Sequence, residues 1–402
     1  MINIVSFNGG RGASSLIPSL LTNKNFKVTS IVNAYDDGKS TGAIRAYFDM
    51  LGPSDIRKVQ QLMLPKDNVD YNNNYWLFDF RLPIDKSNAA LFKELRVEVS
   101  SRKSQMFGRK FKNKALVIAI KDYLNIFLNN LLLIKKAKNL NSFVFQDCSL
   151  MNCIYAGAFI KHERNIESAS LAIEKLFNLS GSVLPNSLEN KKLMGIRENG
   201  KFLYNEAEIV ELRSNVSVER IFLLDEYLDR RHFSKLSKAE KLKFLLDHES
   251  YVQSVPRILR AINDADIIVY SPGTQHSSLY PTYLTKGIAR AISDNKDAKK
   301  IFITNIGADY ETPKYFADDY ILGAYKYLQL SDDRPFKLDE LFTHILVSHP
   351  KTKNKKNYVQ VRKKNLDRLK INTMIDNFES DQSPGKHCGD KLLDRISKIY
   401  QT

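Results

Sequence analysis

Apolar and polar positions alternate along the first 64 residues in blocks that change period. Residues 2–7 form a short apolar run that predicts a strand, residues 13–21 carry helical spacing, and residues 28–34 predict a second strand. Such βαβ alternation with short turns predicts a parallel sheet flanked by helices, an α/β fold. Residues 67–74 are rich in Asn and Asp and predict a loop. The pattern then stays irregular to about residue 145 and ends in a long apolar helix, so residues 65–146 read as a helical insertion. Helical spacing dominates 149–177. Short strands are expected at 192–196 and 209–212, with Glu198-Asn199-Gly200 as a hairpin turn after the first. Amphipathic helices are expected at 235–247 and 255–262, buried strands at 266–270 and 300–305, and a helix through 286–292 between them. After residue 330 the chain turns basic and polar, with one strand at 344–348, a loose tail, a flexible break at 385–389 and a final amphipathic helix. The organisation expected is an α/β domain over 1–330 followed by a basic C-terminal extension over 331–402.

Composition changes this picture little. The 402 residues are 43% hydrophobic and 26% charged, which suits a globular chain with a sizeable core. The three cysteines (Cys148, Cys153 and Cys388) lack disulfide or metal-ligand spacing, and the N-terminus resembles a strand more than a signal peptide. A cytoplasmic location is expected. Residues 116–134 are apolar but interrupted by Lys121, Asp122, Asn125, Asn129 and Asn130. They are expected to form a buried or homodimer-forming helix and not a membrane span.

Charge adds a question. The formal charge is +16, with one basic cluster at Arg102, Lys103, Arg109, Lys110, Lys112 and Lys114. A second cluster is Lys351, Lys353, Lys355, Lys356, Arg362, Lys363 and Lys364. No nucleic-acid reader motif accompanies them, so nucleic acid is not the expected partner. A polyphosphate ligand accounts for part of the excess equally well.

Four segments carry candidate chemistry. The first runs Asn8-Gly9-Gly10-Arg11-Gly12-Ala13, between strand and helix. Glycines there let backbone N–H groups approach a phosphate, and Arg11 adds a fork of donors. The spelling is neither a P-loop nor a dinucleotide fingerprint, and a ligand-free βα turn is the alternative. The second is Tyr35-Asp36-Asp37-Gly38-Lys39-Ser40-Thr41-Gly42, after the next strand. Its paired carboxylates can hold Mg²⁺ against a diphosphate, orient a hydroxyl or accept its proton; ordinary turn chemistry is the alternative. The third is Gly52-Pro53-Ser54-Asp55-Ile56-Arg57, either a helix cap with an ion pair or a metal ligand with a phosphate clamp. The fourth, Ser271-Pro272-Gly273-Thr274-Gln275-His276-Ser277-Ser278, follows a strand and offers hydroxyl and backbone donors.

In this order the segments resemble one family. The Gly-Gly-x-Gly turn (Gly9 to Gly12), the Asp-Asp-Gly-x-Ser-x-Gly loop (Asp36 to Gly42) and Pro-x-Asp-Ile-Arg (Pro53 to Arg57) come first. Ser-Leu-x-Asn follows at Ser149 to Asn152, then Val183-Leu184-Pro185 with Leu188-Glu189, and finally Ser271-Pro272-Gly273 with Ser278-Leu279-Tyr280-Pro281. The set is similar to the superfamily of 2-phospho-L-lactate transferase (CofD) and the YvcK-type gluconeogenesis factors, with the loop spelling closer to YvcK.

The resemblance implies a Rossmann-like fold with a nucleotide in its cleft. Transferase members move a phospho-acid unit from a GDP-linked donor to a deazaflavin hydroxyl with Mg²⁺. YvcK-like members bind UDP-sugars or a dinucleotide and act in cell-envelope and carbon regulation. Carried over, it implies Asp36, Asp37 and Asp55 as catalytic, with Asp36 and Asp55 on Mg²⁺. The nucleotide would be held by Asn8, Gly9, Gly10, Arg11, Gly12, Ala13, Lys39, Ser40, Arg57, Asn152, Ser271, Pro272, Gly273, Thr274, Ser277 and Ser278. Arg11, Lys39 and Cys148 depart from the family's usual residues, and the two added cations suit a more anionic ligand. Two functions stay open: a transferase releasing a nucleoside monophosphate, and a non-catalytic sensor of nucleotide-sugar.

Overall fold

The computed structural model describes residues 1–10, 12–138, 142–211, 213–349 and 357–402. Seven strands make one wholly parallel sheet. Their order is Asn372–Asp376, His344–Ser348, Lys299–Ile303, Ile267–Tyr270, Ile2–Asn8, Phe26–Val32 and Ser182–Pro185. Helices cover both faces, so the central strands are buried on both sides and read as unbroken apolar runs. Ile267-Ile268-Val269-Tyr270 is buried at every position. Register is tight at the centre, where Phe7 sits opposite Tyr270 and Ile31 and its ring stacks on that of Tyr270 at 5.3 Å. This is the expected Rossmann-like α/β fold.

A smaller antiparallel sheet, Phe202–Leu203, Lys192–Arg197 and Val218–Leu224, packs its own core of Met194, Phe222, Leu224, Phe233 and Leu245. Gly200 turns its hairpin at φ +81°. The strand expected at 209–212 is instead part of the helix Glu206–Glu211. The apolar run Ile209-Val210 suggests a strand, but Asn205 caps the Glu208 N–H at 2.9 Å and starts a helix. The loop expected at 67–74 is likewise half helix, Tyr71–Asp79. Its Asn and Asp residues serve tertiary contacts: the Asp70 carboxylate accepts the backbone N–H groups of Lys112 and Asn113.

The long apolar helix, Lys114–Lys138, buries Leu116, Ile120, Leu124, Phe127 and Leu131 in this chain's own core. It crosses Leu150–Lys161 closely, where a Cβ on Gly157 would lie 1.8 Å from the Tyr123 carbonyl oxygen. By length and composition alone its span Lys114–Lys136 is sufficient to cross a membrane. Ile118, Leu132 and Leu133 face outward.

Beyond residue 330, where a basic extension with a loose tail is expected, the chain supplies two strands of the main sheet, His344–Ser348 and Asn372–Asp376. The final helix Gly389–Gln401 packs on Leu16–Leu20. The edge strand Asn372–Asp376 is only half-buried and carries no apolar run, which is why its sequence reads as coil. The basic run 351–356 lies outside the described residues.

Candidate functional site

From the first strand the chain passes to Phe26–Val32 on one side, and it later returns to Ile267–Tyr270 on the other. The loops leaving Ile2–Asn8 and Ile267–Tyr270 therefore diverge at the sheet's topological switch point, the crevice where open α/β sheets bind ligands. They touch. A Cβ on Gly12 would lie 2.1 Å from the Pro272 carbonyl oxygen, while Gly9 abuts Ser278 and Gly10 abuts Asp55. Beneath them the buried Asn8 carboxamide donates to Ser30 Oγ at 2.9 Å and accepts from Ser271 Oγ at 2.6 Å. Asn8 and Ser271 thus fasten the two loops from below, and Ala13 packs in the core. Arg11 lies outside the described residues, as does the side chain of Lys39, which opens the helix Lys39–Phe48.

The cleft has a volume of about 530 Å³ and is lined by Gly9, Gly10, Gly12, Asp36, Ser40, Asp55 and Arg57 among others. Asp36 ends the extended segment after Phe26–Val32, and its carboxylate accepts the Gly38 N–H at 2.9 Å. Asp55 sits in the first turn of Ser54–Leu62, where the helix dipole favours a carboxylate. Lys58, one turn on, reaches Asp55 at 3.0 Å and Asp36 at 3.7 Å. Glu206 closes the same side of the cleft. Burial first, and the charge of Asp55 second, push the Asp36 carboxyl above the usual carboxylate range; burial and Asp36 do the same to Glu206.

Asp37 is placed differently. Its carboxylate pairs with buried Arg45 at 3.7 Å and accepts from Tyr227, and it does not line the cleft.

The facing wall is Gly273, Thr274, Ser277 and Ser278, with Pro272 on the adjoining side. Asn305 braces it, accepting the Gly273 N–H and donating to the Gly273 carbonyl, both at 2.9 Å. The buried Glu311 carboxylate accepts from His276 N at 2.7 Å, Ser277 N at 3.2 Å and Ser277 Oγ. Burial, then Asp309, pushes Glu311 up to about 8. His276 is buried outside the cleft and its pKa is held down to about 3, chiefly by burial, so it is a neutral imidazole. Asn152 stands one layer back, donating to Ser40 Oγ at 3.4 Å and Thr41 Oγ1 at 3.3 Å.

The structure adds Lys58, Arg81, Glu206, Asn305 and Asp309 to the residues expected at the cleft. Asn305 and Asp309 carried a usable signal, since they follow a parallel strand next to Ile267–Tyr270. Lys58 is the residue after Arg57 in its motif. Glu206 and Arg81 arrive by tertiary folding alone and left no local signal.

Relatives share this frame. A protein of Thermotoga maritima is 24% identical over 333 residues, 83% of this chain and 77% of its own. A gluconeogenesis factor of Halalkalibacterium halodurans is 25% identical over 320 residues, 79% of this chain and 71% of its own. A crystal structure of a Bacillus halodurans protein superposes with a TM-score of 0.65 at 21% identity, covering 98% of this chain and 99% of that one, which shows the fold. Residues 4–381 match the family described as 2-phospho-L-lactate transferase CofD, and this chain belongs to it.

Proposed function

We propose that this chain is a transferase that moves a phospho-linked small group from a nucleoside diphosphate-activated donor to a hydroxyl acceptor. The observation that carries this reading is convergence: Asp36, Asp55 and Glu206 face the glycine turn across one cleft at the sheet's switch point. The N–H groups of the turn, Arg57 and Lys58 suit a diphosphate. The acceptor hydroxyl attacks the β-phosphorus, a new O–P bond forms, and its proton passes to a cleft carboxylate. Asp36 and Glu206, whose pKa values are raised, suit that role. The P–O bond to the α-phosphate breaks and the nucleoside monophosphate leaves with the electron pair. Its growing charge is offset by Arg57 and Lys58.

Mg²⁺ fits the donor set. Such sites use one or two carboxylates plus ligand phosphates, and Asp36 and Asp55 share a single cation, the Lys58 ammonium, within 4 Å. Bound there, Mg²⁺ would neutralise phosphate charge. The three thiols are free, with Cys148 Sγ and Cys153 Sγ 3.6 Å apart, which suits a reducing cytoplasm.

The second reading is a nucleotide-sugar sensor. It is favoured by Lys58, which already satisfies both carboxylates without a metal, and by the gluconeogenesis-factor name of a relative. Native mass spectrometry of protein from its own host identifies the bound nucleotide. Supplying that conjugate, Mg²⁺ and a small-molecule extract should then release nucleoside monophosphate. A conjugate recovered intact under those conditions favours the sensor and sinks the transferase.

A further inference from the structure

The cleft has a second compartment, of about 960 Å³, on the far side of the glycine turn. The two share Gly10, Gly12, Arg57, Lys58, Arg81 and Gly273 as a seam. What distinguishes the second is the origin of its outer walls. Arg81 comes from the 65–146 stretch, and Ser380, Ser383 and Lys386 come from the loop before the last helix. None of these lies in a motif that the sequence singles out.

The compartments also differ in charge. The first gathers the carboxylates Asp36, Asp55, Glu206 and Asp309. The second has Asp79 as its one acidic lining residue among those described, against Arg57, Lys58, Arg81 and Lys386. Arg57 is 6% exposed, and its Nε–H has no partner among the described residues. After burial itself, the nearby Arg81 guanidinium is the largest influence lowering its pKa. Arg81 is held in place by Asp147, with Nε at 2.5 Å from the carboxylate and Nη2 on the backbone carbonyl. Lys386 pairs with no carboxylate among the described residues. His387 beside it is neutral, its pKa held down to about 4 chiefly by burial.

Two guanidiniums set close together in a partly desolvated wall repel each other, and an anion relieves that cost. A diphosphate at the seam meets Arg57 and Lys58. That leaves Arg81 and Lys386 in the second compartment, ringed by the hydroxyls of Ser14, Ser15, Ser380 and Ser383.

The geometry points to a second anion subsite in the compartment lined by Arg81 and Lys386, so that the group carried by the nucleotide bears a carboxylate or phosphate of its own. This rests on the nucleotide reading above and narrows it: a neutral sugar conjugate leaves the subsite empty, and an acidic one fills it.

UDP-glucose and UDP-glucuronate form a matched pair, differing only in a hydroxymethyl against a carboxylate. Calorimetry should show UDP-glucuronate binding about tenfold or more tightly, the scale of one hydrogen bond to a charged group. Lys386→Ala and Arg81→Ala should each erase the preference and leave UDP-glucose affinity unchanged. Inorganic phosphate titrated into protein saturated with UDP, or with GDP where that binds better, tests the phosphate form. It should bind the parent and fail with Lys386→Glu. Equal affinity for the two conjugates together with no phosphate binding to the nucleotide-saturated protein overturns the subsite and leaves the nucleotide reading intact. Failure of both UDP and GDP to bind removes the nucleotide reading, and the subsite with it.

Discussion

Gly12→Ala probes the crossing of the two loops at the switch point. A methyl group there would stand 2.1 Å from the Pro272 carbonyl oxygen and 2.9 Å from Gly273 Cα. Carbon and oxygen in ordinary contact need more than 3 Å, so the loops must part by about an ångström. Neither can yield cheaply. Their parent strands pair directly, with Phe7 opposite Tyr270, and Asn305 holds Gly273 by two hydrogen bonds. Overpacking of this kind costs about 1–3 kcal/mol, and backbone obstacles on both sides place Gly12→Ala near the upper end. Unfolding entropy of about 2.1 cal/mol/K per residue sums to about 0.8 kcal/mol/K, so roughly 3 kcal/mol lowers Tm by about 3.5 °C. Gly10→Ala is the control. Its obstacles are the Asp55 carboxylate at 2.4 Å and Lys58 Cδ at 2.7 Å, the ends of side chains that can swing away. It should leave Tm within about 1 °C, a surface-scale change, while displacing the carboxylate and weakening nucleotide binding. Scanning calorimetry with a nucleotide titration on each variant separates the two effects. A Gly12→Ala protein with parental Tm and parental affinity would refute the loop crossing.

Asp55→Asn should cut transfer at least about 100-fold at near-parental Tm, whereas Asp37→Asn should cost about 2 kcal/mol in urea unfolding through its lost bond to Arg45 and Tyr227. The reverse pattern would exchange their roles. Glu311, raised from 4.5 to about 8, binds more protons folded than unfolded in that interval, so its contribution lowers stability as pH rises from 4.5 to about 8. Glu311→Gln should flatten that part of the Tm–pH curve, and an unchanged slope would show that Glu311 ionises normally. Phe127, fully buried on the long helix, should cost about 3–5 kcal/mol as Phe127→Ala. A change under 1 kcal/mol in chemical denaturation would mean that this face is not packed in the chain's core.

The frame was legible because parallel strands buried on both faces spell themselves as apolar runs. His344–Ser348 matches its expected bounds, and 266–270 is off by one residue. The glycine turn was legible because close backbone approach permits no side chain, as Gly12 shows. What failed did so where tertiary contacts decide. Asp36 and Asp37 are equivalent in sequence, yet adjacent residues of an extended segment point to opposite sides, and only the fold says which side is the cleft. Arg45 and Tyr227 claim Asp37, the second from 190 residues away. Asn372–Asp376 and Glu206–Glu211 were missed for the same reason, since an edge position and a side-chain cap outweighed the local apolar pattern.

These differences bear on how far a relative's ligand informs this one. The seam of the cleft is built from motif residues, so a ligand feature read there, the diphosphate, transfers with the family. The outer walls are built from the 65–146 stretch and the segment around residues 380–387, whose side chains no motif specifies. A ligand's remaining parts are therefore selected by residues free to change while the motifs stay. Arg81 shows how such a wall is made: a helix end brings the guanidinium to the cleft and Asp147, 66 residues on, holds it there. Two chains of this fold at about a fifth identity can keep one phosphate site and choose different conjugates. Exchanging Arg81 and Lys386 for neutral residues should accordingly change which conjugate binds without changing whether a nucleotide binds.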